Sequence, residues 1–222
     1  MVLKHRVVLA LGAHPDDVEL GCAGTLHGAL LTGAKIIVVY LTKGEKSGDP
    51  ETRVKESRAA LATLGIGDVF FGNFRDTEIP NSHEAIQFME KFYESYKPDL
   101  VLTHTIHDTH QDHRQVGWLS LSAFRNAPRL LAYETPRATG DFRPSFFVDI
   151  HEHVNCKWNA LKCHVSQIQK RYVAYESMVN LSSFRGSQSG LIAAEAFEVL
   201  RYVEWLPSPK CVVRPEMDSE SN

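Results

Sequence analysis

In "LALGAHPDDVELGCAGTL" (residues 9–26) an apolar run leads into His14, and two adjacent carboxylates, Asp16 and Asp17, follow at once. Carboxylates side by side repel, so the pair calls for a positive charge nearby. A second dense stretch, "HTIHDTHQDH" (104–113), holds four histidines and two aspartates in ten residues. Imidazole and carboxylate are the ligands that hydrolytic zinc takes, with one position kept for water. His14 and Asp17 are three apart on a turn, so both can reach one ion, and His113 would be the third ligand. A dication would also offset the repulsion between the neighbouring acids. Asp16 is then free for a different role, in which it takes a proton from the activated water and delivers it to a leaving amine. His110 could face a developing oxyanion or protonate the leaving group, and Asp112 would orient one of these rings from behind.

The two clusters are far apart in the chain, so the fold must join them. "RVVLALGA" (6–13), "KIIVVYLT" (35–42), "DVFFG" (68–72), "PDLVLTH" (98–104) and "RLLAYE" (129–134) read as strands. Between them "GCAGTLHGALLTG" (21–33), "PETRVKESRAALATLGI" (50–66), "SHEAIQFMEKFYESY" (82–96) and "HRQVGWLSLSAFRN" (113–126) read as helices. Asp49 is a good N-cap with Pro50 at the first helical position, and Ser82 offers a cap oxygen to the third helix. The alternation, with near-continuous apolar strands, predicts an α/β fold: a Rossmann-like, doubly wound, mostly parallel sheet with helices on both faces. Right-handed crossovers and the order 3-2-1-4-5 set strands one and four side by side. The crevice beyond their C-terminal ends then receives both clusters.

After Glu134 the pattern changes. Residues 135–145 read as a loop, "FFVDI" (146–150) as a sixth strand, and 153–170 and 189–203 as helices. A polar tail follows from about residue 207. No internal repeat or linker interrupts the chain, so residues 1–222 are expected to form a single domain.

Composition narrows the function. With 222 residues, 43% of them hydrophobic, and a formal net charge of -3, the chain lacks the basic face of a nucleic-acid binder. No stretch reaches the ~18 apolar residues of a spanning helix. Cys22, Cys156, Cys163 and Cys211 are scattered, which suits free thiols in a reducing compartment. The expectation is a soluble, cytoplasmic protein. "GCAG" is not G-x-G-x-x-G, which argues against dehydrogenase-type nucleotide binding.

"GAHPDDVELGCAGTL" and "HDTHQDHRQVG" resemble the PIG-L/LmbE-like zinc N-deacetylases, whose motifs are A-H-P-D-D followed closely by Glu, and His-x-Asp-His. The similarity spans roughly residues 6 to 200. It implies removal of acetyl groups from N-acetylglucosamine-type sugars or related amides, with one zinc, or another transition metal, per chain. It puts His14, Asp17 and His113 in the metal-ligand places and Asp16 in that of the general base. His110 takes the place of the histidine that steadies the tetrahedral intermediate, with Asp112 its orienting neighbour. Arg53 and Asp76 match substrate contacts. Relatives often form closed assemblies, so a homo-oligomer is among the implied partners, beside the small acetylated amino sugar. Two departures stand out. Val18 separates the paired acids from Glu19, and Gln111 stands where many members have Pro.

Some residues carry blander readings. Glu19 reads chiefly as a helix-capping acid, and His164 as a helix-packing residue. His104 is as good a core residue as a site residue, and His107 as good a solvated one. Arg137 and Arg143 lie on a loop expected to lean toward the crevice, where either could bind an anionic group. Three rival functions stay open: an amidase acting on a thiol or sugar conjugate, a non-catalytic sugar-binding module, and a metal-free nucleotide-binding protein.

Overall fold

The structure, a computed structural model, describes residues 6–204. The expected polar tail and Cys211 lie outside them. Five strands run parallel: β1 (Val7–Gly12), β2 (Lys35–Tyr40), β3 (Asp68–Phe71), β4 (Leu100–His104) and β5 (Arg129–Tyr133). Helices α1 (Asp17–Leu31), α2 (Pro50–Thr63), α3 (His83–Tyr96) and α4 (Gln111–Ala123) connect them in turn. β6 (Phe146–Asp149), α5 (Val154–Leu161), α6 (Tyr175–Ser189) and β7 (Ala194–Tyr202) complete the described chain. The sheet order is β3-β2-β1-β4-β5-β7-β6, with β7 antiparallel to both of its neighbours. The Rossmann-like, mostly parallel α/β fold is therefore present, and its winding reverses between β1 and β4.

Strand periodicity explains the two covered faces. Val8 and Ala10 of β1 join one apolar cluster with Val18 and Leu26 of α1, Leu61 of α2 and Ala160 of α5. Leu9 and Leu11 point the other way, into a cluster with Met89 of α3 and with Val116 and Leu119 of α4. Successive strand side chains must face opposite ways, so a strand buried on both faces has to be apolar throughout. The caps behave as their chemistry demands: Asp49 accepts from the Thr52 amide at 2.8 Å, and Ser82 Oγ from the Ala85 amide at 3.2 Å.

The C-terminal part departs from expectation twice. Residues 194–202, read as helical, form β7. "AEAFEVLRY" is rich in helix formers, but β7 hydrogen-bonds on both sides, to β5 and to β6, and these ladders outweigh propensity. Its Glu195 is buried yet satisfied: it accepts from Lys157 Nζ at 2.6 Å and from the Gly24 and Thr25 amides. The helix expected over 153–170 stops at Leu161. Beyond it, the Gln167 amide group donates to Ser47 O at 3.2 Å, holding the chain as a loop against the β2–α2 connection.

Candidate active site

His14 and Asp16 sit on the turn between β1 and α1, and Asp17 opens α1. His110 is the N-cap of α4, its Nδ1 accepting from the Asp112 amide at 3.2 Å, and His113 lies in that helix's first turn. Two helix N-termini therefore converge beside β1 and β4, and their dipoles favour the carboxylates gathered there. Asp16 holds φ at 119°, a left-handed conformation costly for a residue with a Cβ. The strain lies at the turn that aims its carboxylate.

The expected residues meet in one pocket. Asp17 is central: its Oδ1 lies 3.2 Å from His113 Nε2, and its Oδ2 lies 3.4 Å from His14 Nδ1. Two ligands on a tetrahedral zinc, each bound at ~2.0–2.1 Å, stand roughly 3.3 Å apart, and each histidine keeps about that spacing to its own oxygen of Asp17. The outer nitrogens fit as well. His113 Nδ1 is 2.9 Å from Asp108 Oδ2, and His14 Nε2 is 3.0 Å from both Asp112 Oδ2 and Asp76 Oδ1. Carboxylates on the far nitrogens of two histidines are what metal sites use to fix ring orientation and raise ligand basicity. Three overlapping donor groups fall within 4.8 Å: His14 with His110 and His113, Asp17 with His104 and His113, and His14 with Asp76 and Asp112. The expected trio, His14, Asp17 and His113, is not itself one of these groups: His14 belongs to the first, Asp17 to the second and His113 to both.

Charge follows the same geometry. Burial opposes a proton on His14, but hydrogen bonds to Asp112, Asp17 and Asp76 outweigh it and hold its pKa well above the usual value. Burial also opposes a charge on His113, but Asp17 and Asp108 outweigh it and lift its pKa to about 9. Burial, then the neighbouring His14 and His113, press His110 down to about 4, so its ring is neutral. Burial raises the Asp16 carboxyl above the ordinary range; Arg53 opposes this and Asp17 adds to it.

Several expectations about individual contacts change. Asp112 does not face the His110 ring with its carboxylate, as the sequence leads one to expect; that group meets His14 and accepts from the Thr77 amide at 2.7 Å. Asp76 and Arg53 are the expected substrate contacts. Asp76, only 2% exposed, faces His14 and accepts from the Lys46 amide at 2.9 Å. Arg53, also 2% exposed, donates to Gly44 O and Pro15 O and stands 3.3 Å from Asp16 Oδ2. Both line the pocket; Asp76 and the two terminal nitrogens of Arg53 are engaged with the protein, while Arg53 Nε is buried without a hydrogen-bond partner.

Glu19 is no surface cap. It is fully buried, accepting from Tyr40 OH at 2.6 Å and lying 3.0 Å from His164 Nε2. His104 stacks on His113 at 4.1 Å between ring centroids, and its Nε2 lies 3.1 Å from both the Ala13 amide and Asp17 Oδ2. His107 is partly exposed and Arg143 is exposed. Sequence reasoning misses Asp108, although "HDTHQDH" carries it five residues before His113, a spacing that one helix N-terminus can fold together. Lys46 and Lys170 line the pocket from loops, and Tyr172 from the 3-10 turn Arg171–Val173, none of which carries a motif.

Comparison with known proteins gives the chain its family. The family model "PIG-L: GlcNAc-PI de-N-acetylase" matches residues 9–124, which contain both clusters. The "Uncharacterized deacetylase YaiS" of Escherichia coli K12 is 36% identical over 171 residues, covering 73% of this chain and 92% of that protein. The diacetylchitobiose deacetylase of Thermococcus kodakarensis is 31% identical over 189 residues, covering 73% of this chain and 70% of its own. The chain belongs to the PIG-L family of deacetylases. The fold extends further: the crystal structure of GalB, the 4-carboxy-2-hydroxymuconate hydratase of Pseudomonas putida KT2440, superposes with a TM-score of 0.78. That match is 21% identical and covers 91% of this chain and 100% of GalB. One architecture thus hosts a different reaction, and the site must decide.

Proposed function

We propose that this deacetylase is a zinc-dependent hydrolase that removes the N-acetyl group from a small N-acetylglucosamine-type molecule, releasing acetate and a free amine. The observation that carries the reading is Asp17 between His14 and His113 at 3.4 and 3.2 Å, each imidazole backed by a buried carboxylate. His14, Asp17 and His113 would hold the ion. When bound, zinc would polarise the amide carbonyl and make the attacking water more acidic.

The chain's own residues supply the rest. Asp16, 4% exposed and 3.3 Å from Arg53, accepts the proton of the attacking water and delivers it to the departing nitrogen. Burial supports that role, because a carboxyl lifted above its usual range holds a proton more readily at neutral pH. Arg53 aims Asp16, its Nη1 held by Gly44 O and its Nη2 by Pro15 O. His110, its ring centroid 4.7 Å from that of His14 and 4.6 Å from that of His113, lies where charge develops on the carbonyl oxygen. Asp112 and Asp76 keep His14 oriented, and Asp108 does the same for His113.

The whole chain acts as one catalytic domain in this reading. Cys22, Cys156 and Cys163 are unpaired, which suits a reducing compartment such as the cytoplasm. Among the described residues no helix is long and apolar enough to cross a membrane.

The test is acetate release from free, phosphorylated and glycosidically linked N-acetylglucosamines, with zinc added and with a chelator. Chelator-sensitive acetate is expected from at least one. Acetate from none, in protein shown to carry metal, overturns the reading in favour of an amidase or a binding module.

A further inference from the structure

Three loops that carry no donor of the metal cluster each bring one cation to the pocket mouth. Lys46 comes from the β2–α2 connection, Arg137 from the β5–β6 connection, and Lys170 from the connection between α5 and α6; all three line the same pocket as His14, Asp16 and His110. The loops are fastened to one another and to the site. The Lys46 amide donates to Asp76 Oδ2 at 2.9 Å. Arg137 O accepts from the Thr109 amide at 3.0 Å, next to His110. Gln167, three residues before Lys170, donates to Ser47 O at 3.2 Å.

Their side chains have no acidic partner. No ion pair within 4.0 Å involves Lys46, Arg137 or Lys170 among the described residues, whereas Asp16 is already matched by Arg53. Arg137 and Lys170 instead flank one aromatic ring, lying 5.5 and 5.8 Å from the centroid of Tyr172. The acids of the same pocket, Asp16, Asp17 and Asp76, are engaged by Arg53, His113 and His14, which leaves the three rim cations to attract a negative group. Burial brings Lys170 below its usual pKa; Asp16 and Asp76 pull it up, and Arg53 and Arg137 push it down.

We infer that Lys46, Arg137 and Lys170 form an anion subsite, so that the amino sugar this enzyme deacetylates carries a carboxylate or phosphate beside the acetamido group's ring. The inference rests on the deacetylase reading for its chemistry, and on the rim alone for its charge. The anion binds at the mouth while the acetamido group reaches Asp16 and His110 below. Tyr172 stacks against the ring or the linker that joins the two.

The experiment has two arms on the zinc-loaded protein. The first compares kcat/KM for a neutral N-acetylglucosamine methyl glycoside with N-acetylglucosamine 1-phosphate, 6-phosphate and a carboxylate-bearing glycoside, in wild type and in Arg137→Gln and Lys170→Gln. The anionic substrate is expected to be favoured at least tenfold. Either variant should cut that ratio severalfold, chiefly through KM, and added salt should shrink it. Which anion gains most separates phosphate from carboxylate. The second arm is independent of turnover: calorimetric binding of glucosamine against glucosamine 6-phosphate and a glucosamine glycoside bearing a carboxylate. A charge preference that Arg137→Gln abolishes upholds the subsite even if no acetate is released, in which case the deacetylase reading alone fails. Equal handling of neutral and anionic compounds in both arms, or a preference untouched by both variants, overturns the subsite while leaving deacetylation standing.

Discussion

The parallel part of the sheet, β1 to β5 with α1 to α4, and the antiparallel C-terminal part contribute to the pocket in different ways. Each histidine and aspartate of the proposed metal-and-base cluster lies between His14 and His113, inside the parallel part. The C-terminal part supplies Arg137 and Lys170 from loops and Tyr172 from a short 3-10 turn, Arg171–Val173. His14, Asp17 and His113, which stand 3.2–3.4 Å apart through Asp17, sit just past a strand end or at a helix start, where the sheet fixes the backbone. The groups proposed to read the rest of the substrate sit on connections, which vary without disturbing the core. The hydratase that shares this fold makes the same point, since the scaffold outlives a change of reaction.

The most severe way to test this division is to strike the parallel part at two points that should fail differently. Asp16→Asn should lower kcat by about 10²–10⁴-fold, the range of a lost general base, with zinc content unchanged. His113→Ala should lose the metal itself, because it removes a nitrogen 3.2 Å from Asp17 Oδ1. Activity assays with metal analysis after dialysis separate the two. Near-normal turnover in the first, or full zinc in the second, would remove that residue from its role.

One step back from the ligands, Asp108→Asn keeps the shape behind His113 but removes the charge. Its carboxylate is 2.9 Å from His113 Nδ1, accepts from Thr135 Oγ1 at 2.6 Å, and has its pKa held near 2, His113 outweighing the burial that would raise it. Metal affinity should fall about 10–100-fold, the usual cost of losing such a partner. Arg137→Gln, on the rim, should leave metal affinity alone. Competition with a chromophoric chelator measures both, and equal losses would dissolve the distinction between the two parts.

The same division decided what could be read in the sequence. The parallel part was legible because a strand buried on both faces must be apolar throughout, as Val8 to Leu11 are, and because sheet topology fixes which loops meet. Finding His14 near His113 needed only that topology. Which carboxylate faces which ring was not legible. Asp112 and Asp108 sit four residues apart on one turn, and only the packed geometry sends one to His14 and the other to His113. The C-terminal part misled because "AEAFEVLRY" lacks β-branched residues apart from Val199, while its partners, β5 and β6, are distant in sequence. Glu19 misled because an acid at a helix start usually faces water. Here Tyr40 and His164 hold it in the interior.

The mildest comparison uses two glycines with nearly the same backbone. Gly44, in the β2–α2 loop, has φ at 69°, and Gly190, which ends α6, has φ at 73°. Replacing either by Ala costs about 1 kcal/mol for the left-handed backbone. At Gly190 nothing lies within 4 Å of the new methyl, so that cost is the whole effect. The melting temperature should drop by roughly 2–4 °C with kcat/KM unchanged. At Gly44 the methyl would stand 2.0 Å from Arg53 Nη1. A long side chain usually swings aside cheaply, but this one is buried and tied to Gly44 O, Pro15 O and Asp16. Moving it costs those bonds and releases the base it aims. Gly44→Ala should therefore lose activity, about tenfold or more, beyond what its melting point predicts. If both variants melt alike and turn over alike, Asp16 does not need Arg53 to aim it.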